Sequence, residues 1–144
     1  MVATPIGNLE DITFRAIVIL KSVDYILCED TRVSQKLLTR FGIQKPLISY
    51  HQHSKLSKVD YILKLLQDGK NLALISDAGT PGISDPGNKL VESIVKASRL
   101  PMSGSFQTSE VWKAGEEIQI VPIPGASALT VMASVAGFSM DKFV

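Results

Sequence analysis

The chain has 144 residues, 45% of them apolar, which is enough to fill one core and too many for a disordered segment. Lys and Arg number 15 against 14 Asp and Glu, a net charge of +1, so the strongly basic balance of a dedicated nucleic-acid binder is absent. One cysteine, Cys28, excludes a disulfide framework and a cysteine-based zinc site, the histidines at 51 and 53 leave little for a His-rich metal site, and no apolar run reaches the ~18 residues of a membrane span.

Read from the N-terminus, no basic stretch leads into an apolar one, so no secretory signal is expected. Met1–Ala3 reads as a strand, but a short one, so the chain is expected to begin inside an element. The loop from Ala3 to Thr13 follows. It is neither a Walker loop nor GxGxxG, and its Pro5 and Gly7 permit a tight turn with exposed amides. A helix is predicted from about Asp11 to Ser22, with Phe14, Ile17, Val18 and Lys21 at helical spacing. Asp24–Cys28 is the second strand. Ser34–Phe41 is the second helix, with Gly42 placed to cap it. Pro46–Ser49 is a strand, and Leu56–Asp68 a helix with Leu56, Val59, Ile62, Leu63 and Leu66 on one face. Asn71–Ser76 is the next strand and leads into a loop over 76–87. A helix over Asn88–Ala97, a strand over Ile118–Pro122 and a helix from Ala126 to Gly137 complete the order. Short apolar runs alternating with longer helical patterns are the sign of βαβ units and a parallel sheet. The chain closes on the apolar run Asp141–Val144 without a terminator, so this end is also expected to be cut.

Residues 98–114 break the pattern. The helix ending at Ala97 has no Gly stop, and Gly115 stands ready to supply one only after a stretch without clear period. With 98–114 removed, helix, Gly cap, turn and strand follow in the ordinary order of an αβ connection. The segment therefore reads as an insertion in a surface loop. Loop lengthening costs only about 0.6 kcal/mol per doubling, so the sheet can carry it.

Three loops rich in Gly, Pro and small polar residues each follow a strand. They are 3–13, 76–87 and 122–128, and all fall at the carboxyl edge of the sheet, where open α/β sheets bind ligands. Free amides at a helix N-terminus there can meet an anionic group.

These loops also carry a resemblance. Val-Ala-Thr-Pro-Ile-Gly-Asn-Leu-Glu-Asp-Ile-Thr (2–13), Glu-Asp-Thr-Arg (29–32), Ile-Ser-Tyr-His (48–51), Ser-Asp-Ala-Gly-Thr-Pro-Gly-Ile-Ser-Asp-Pro-Gly (76–87) and Val-Pro-Ile-Pro-Gly-Ala-Ser-Ala (121–128) resemble the tetrapyrrole methylase family of S-adenosylmethionine (SAM) enzymes. The likeness is to the branch that methylates the 2'-hydroxyl of a cytidine in small-subunit (16S) ribosomal RNA, and it covers nearly the whole chain outside 98–114. It implies a three-layer α/β/α N-terminal domain with a five-stranded parallel sheet, spanning 1–144, ahead of a smaller second domain that lies beyond this chain. The family's SAM lies folded between the two domains. Position by position, Ile6 matches a backbone contact to the cofactor, Thr80 and Ile83 match an acid-plus-apolar pair, and Ser127 and Ala128 match contacts on the third loop. Relatives often carry Asp where this chain has Thr80. The resemblance further implies a 30S or rRNA partner, a homodimer in the full-length protein, no membrane, and a cytoplasmic setting, or a plastid one in a plant or alga. Because the remaining cofactor contacts belong to the second domain, the chain alone is expected to transfer little methyl.

In-line methyl transfer to a ribose hydroxyl, a weak nucleophile, is helped by a general base. Asp77 is the preferred candidate over Asp30 and Asp85, which also suit helix N-caps. Arg32 is placed to meet phosphate, and His51 and His53 to stack on or hydrogen-bond a base. Cys28 and the tyrosines at 25, 50 and 61 read as packing. Two other readings share these residues: a methylase of a tetrapyrrole or other small acceptor, and a catalytically inactive fragment.

Overall fold

The structure is a computed structural model. It describes residues 1–51, 54, 56–83, 85, 87–99 and 118–137. A 3-10 turn over Leu9–Asp11, which periodicity does not announce, precedes α1 (Phe14–Ser22). The chain continues through β1 (Tyr25–Cys28), α2 (Thr31–Arg40), β2 (Leu47–Ser49), α3 (Leu56–Gln67), β3 (Leu72–Leu74), α4 (Gly87–Arg99) and α5 (Ala128–Val135).

Local chemistry sets the helix starts. The Thr13 hydroxyl accepts from the Ala16 N–H at 3.1 Å and opens α1. Asp30 caps α2 by accepting from the Arg32 N–H at 2.8 Å, so this helix begins three residues before the Ser34 expected from the apolar pattern. Helix α4 runs through Ser98 and Arg99, so the first two residues of the expected insertion are helical, and 100–114 lie outside the described residues.

The strands are parallel in the order β2-β1-β3, with Ile26 opposite Leu47 and Ala73. The side-chain period of two then divides the core. Ile26, Cys28, Ala73 and Ile75 pack with Ala16 and Leu20 of α1 and Leu38 of α2. Leu27 and Leu74 pack on the other side with Ile62 of α3 and Leu90 and Ile94 of α4. Helices thus cover both faces, as the alternation of elements predicts.

The sheet has three strands where five were expected. The first and last predicted strands hold single bridges instead. Val2 donates to the Leu74 carbonyl at 2.8 Å and bridges Ile123 in parallel, and Ile123 donates to the Met1 carbonyl at 2.8 Å. Proline explains why neither extends into a ladder. Pro5 follows Thr4, and Pro122 and Pro124 flank Ile123, so each segment lacks an N–H beside its bridge. The pairing residue at 123 lies just beyond the predicted strand end at Pro122.

Exposure corrects several packing expectations. Tyr50 and Cys28 are buried, but Tyr61 is half exposed. Phe14 is 90% exposed and Leu56 82%, although both were assigned to apolar helix faces. The buried stripe of α1 is Ala16 and Leu20 instead.

Candidate functional site

The three loops are tied into one floor. Thr4 is buried, and its N–H donates to the Gly79 carbonyl at 2.9 Å while Gly79 returns a bond to the Thr4 carbonyl at 3.0 Å. The Thr4 hydroxyl donates to the Ser76 carbonyl at 3.0 Å. The Thr80 hydroxyl donates to the Ala126 carbonyl at 2.9 Å and joins the second loop to the third. The third meets the first where a Cβ on Gly125 would stand 2.9 Å from Ala3 Cβ. Only a residue without a side chain allows that approach.

Above this floor opens a cleft of about 210 Å³. Ile6, Thr80, Ile83, Ser127 and Ala128, one group in the sequence reading, all line it. Gly79 lies among them at φ +81°, and a Cβ there would stand 3.3 Å from Ile6 Cδ1 and 3.6 Å from the Ala126 carbonyl. The cleft is therefore a cradle that bare backbone keeps open, which suits a flat or folded small molecule lying against the loops. Ser127 starts α5 without a side-chain cap, so the first amides of that helix are left for a ligand or water.

Three carboxylates stand on the wall: Glu29, Asp77 and Asp85. Asp85 is engaged twice, accepting from the Gly82 and Gly87 N–H groups at 2.8 Å each, and so holds its loop to the start of α4. Asp77 accepts from the Asp30 N–H at 3.3 Å. Glu29 accepts no side-chain hydrogen bond among the described residues. Burial pushes its carboxyl pKa up, the charges of Asp77 and Asp85 add to the rise, and His51 opposes it. Sequence reasoning passed over Glu29. The signal was available, since Glu29 is the first residue beyond β1, at the carboxyl end of the central strand.

Arg32 and His51 do not line the cleft. Arg32 is 87% exposed, and its guanidinium grips Asp30 in a fork, Nε to Oδ1 at 3.1 Å and Nη2 to Oδ2 at 2.7 Å. That fork, with the cap bond, holds the Asp30 carboxyl down at about 2. His51 is exposed, and its backbone N–H donates to Ser54 Oγ at 2.9 Å. His53 lies outside the described residues. Cys28 is a poor nucleophile, because burial raises its thiol pKa. Among the described residues no helix is long and apolar enough to cross a membrane.

Cleft, loops and doubly covered sheet fit one class. The chain matches the family of tetrapyrrole (corrin/porphyrin) methylases over residues 1–144, and it belongs to that family. Among curated proteins it is similar to ribosomal RNA small subunit methyltransferase I of Thermotoga maritima, 46% identical over 144 residues, which is all of this chain and 56% of that protein. The protein of the same name from Synechocystis is 45% identical over 144 residues, covering all of this chain and 45% of its own length. That of Halalkalibacterium halodurans is 43% identical over 143 residues, 99% of this chain and 43% of its own. The chain thus spans about half the length of these relatives.

Proposed function

We propose that this chain is the N-terminal domain of a SAM-dependent methyltransferase that modifies small-subunit ribosomal RNA at the 2'-hydroxyl of a cytidine. The observation that carries the reading is the convergence of Ile6, Thr80, Ile83, Ser127 and Ala128 on one cleft at the carboxyl edge of the sheet. SAM, when bound, supplies a methyl group activated by its positive sulfonium. The chain's residues divide the work of holding it. Ile6 and Ile83 offer apolar walls, the Thr80 hydroxyl an acceptor oxygen, and the α5 amides behind Ser127 and Ala128 a place for a carboxylate. Asp77, with its neighbours, gives the acceptor end a negative wall that favours a cation. Arg32 would meet phosphate at the rim, and His51 and His53 a base.

In the same reading the full protein completes a five-stranded sheet, adds a second domain to the cleft, works as a homodimer and acts in the cytoplasm, or in a plastid in a plant or alga. Residues 98–114 are a loop insertion. The experiment is transfer of tritiated methyl from SAM to 30S subunits, beside a tetrapyrrole acceptor, with the full-length Thermotoga relative as reference. The expected result is label in a cytidine ribose of the small-subunit RNA, at a rate below the relative's. Label in the tetrapyrrole and none in RNA would replace this reading by the small-acceptor one.

A further inference from the structure

We infer that Glu29 is the proton acceptor of the transfer reaction, an inference that rests on the reading of the cleft as a SAM site. The argument is one of availability. Of the carboxylates on the cleft wall, Asp85 has both oxygens bound to backbone N–H groups at 2.8 Å, and Asp77 has one oxygen on the Asp30 N–H. Asp30, the remaining carboxylate nearby, is taken by the α2 cap and by Arg32, and does not line the cleft. Glu29 alone faces the cleft without a hydrogen bond to its carboxylate among the described residues. Its backbone is fixed. The carbonyl accepts from Ser49 Oγ at 3.3 Å, and the residue follows directly on Cys28 of the central strand. A rigid strand end carrying an uncommitted carboxylate is what positioning a proton acceptor requires.

The step balances without a further reactant. The hydroxyl oxygen forms a bond to the methyl carbon as the carbon–sulfur bond breaks. The electron pair of that bond passes to sulfur and leaves a neutral thioether. The hydroxyl proton passes to Glu29 and from there to water. Asp77 and Asp85 face Glu29 with like charge and raise its proton affinity, while His51 lowers it. A carboxylate raised in this way is a better base and is still ionised near neutral pH.

The test follows the Glu29 side-chain carboxyl by carbon NMR during a pH titration of the chain, using Glu29→Gln for assignment. Three states are compared: free, with SAM, and with S-adenosylhomocysteine, which lacks the positive sulfonium. Glu29 is expected to titrate above an ordinary glutamate when free, and lower in Asp77→Asn. SAM should lower its midpoint, and S-adenosylhomocysteine should lower it less. Calorimetry should find SAM affinity in Glu29→Gln within about threefold of the unmodified chain, while single-turnover transfer falls on the order of 100-fold or more. SAM binding that leaves the Glu29 midpoint unmoved, or undiminished transfer by Glu29→Gln, would overturn the assignment and leave the cofactor reading standing. Absence of SAM binding to the unmodified chain would overturn both.

Discussion

Asp30 shows how one side chain can settle both a helix start and an electrostatic question. Its carboxylate caps α2 and holds Arg32, and its pKa falls from the usual 3.8 to about 2. A carboxyl depressed by folding adds stability above its unfolded pKa and loses that contribution as pH falls through the folded one. Chemical denaturation of the chain and of Asp30→Asn, repeated from pH 6 to pH 2, should therefore show a stability gap that is constant above about pH 4 and closes toward pH 2. Gly125 makes the corresponding point for packing. A side chain there meets Ala3 at 2.9 Å and wedges the third loop from the first. Gly125→Val should cost about 1–3 kcal/mol in thermal melts and weaken SAM binding in calorimetry, whereas an unchanged affinity would show that the loops need not touch.

At the scale of elements, the sequence was most legible where side chains repeat with a clean period. The predicted strands around Ile26 and Ala73 fall within two residues of the observed ends, because Ile26, Leu27 and Cys28 are all buried and bounded by polar turns. Ile26 sits fully buried on the central strand between two neighbours, so Ile26→Ala should lower unfolding free energy by about 2–5 kcal/mol, measured by urea titration. Legibility ended where tertiary contacts decide. Periodicity marks which residues are apolar but not which are covered, hence Phe14 and Leu56 in solvent while Ala16 does the packing. A short apolar run flanked by prolines reads as a strand but cannot form a ladder, hence the single bridge at Ile123. Of the site, the three Gly/Pro loops were readable from composition and position after strands. Glu29 was not, because a charged residue at a strand end carries no local pattern, and only the sheet order shows that β1 is central.

At the scale of the whole molecule, the account stands on one assertion: residues up to 122 positions apart in the chain form a single SAM site. Backbone amides report on this directly, since a ligand lying against the loops changes their surroundings whether or not methyl transfer occurs. The deciding measurement is a titration of the isotopically labelled chain with SAM, followed by amide chemical shifts. The account predicts saturable shifts concentrated at Ile6, Gly79, Thr80, Ile83, Ser127 and Ala128, with α1 and α3 silent. Shifts centred on the exposed face of α1 around Phe14 and Val18, or none at any residue, would contradict it.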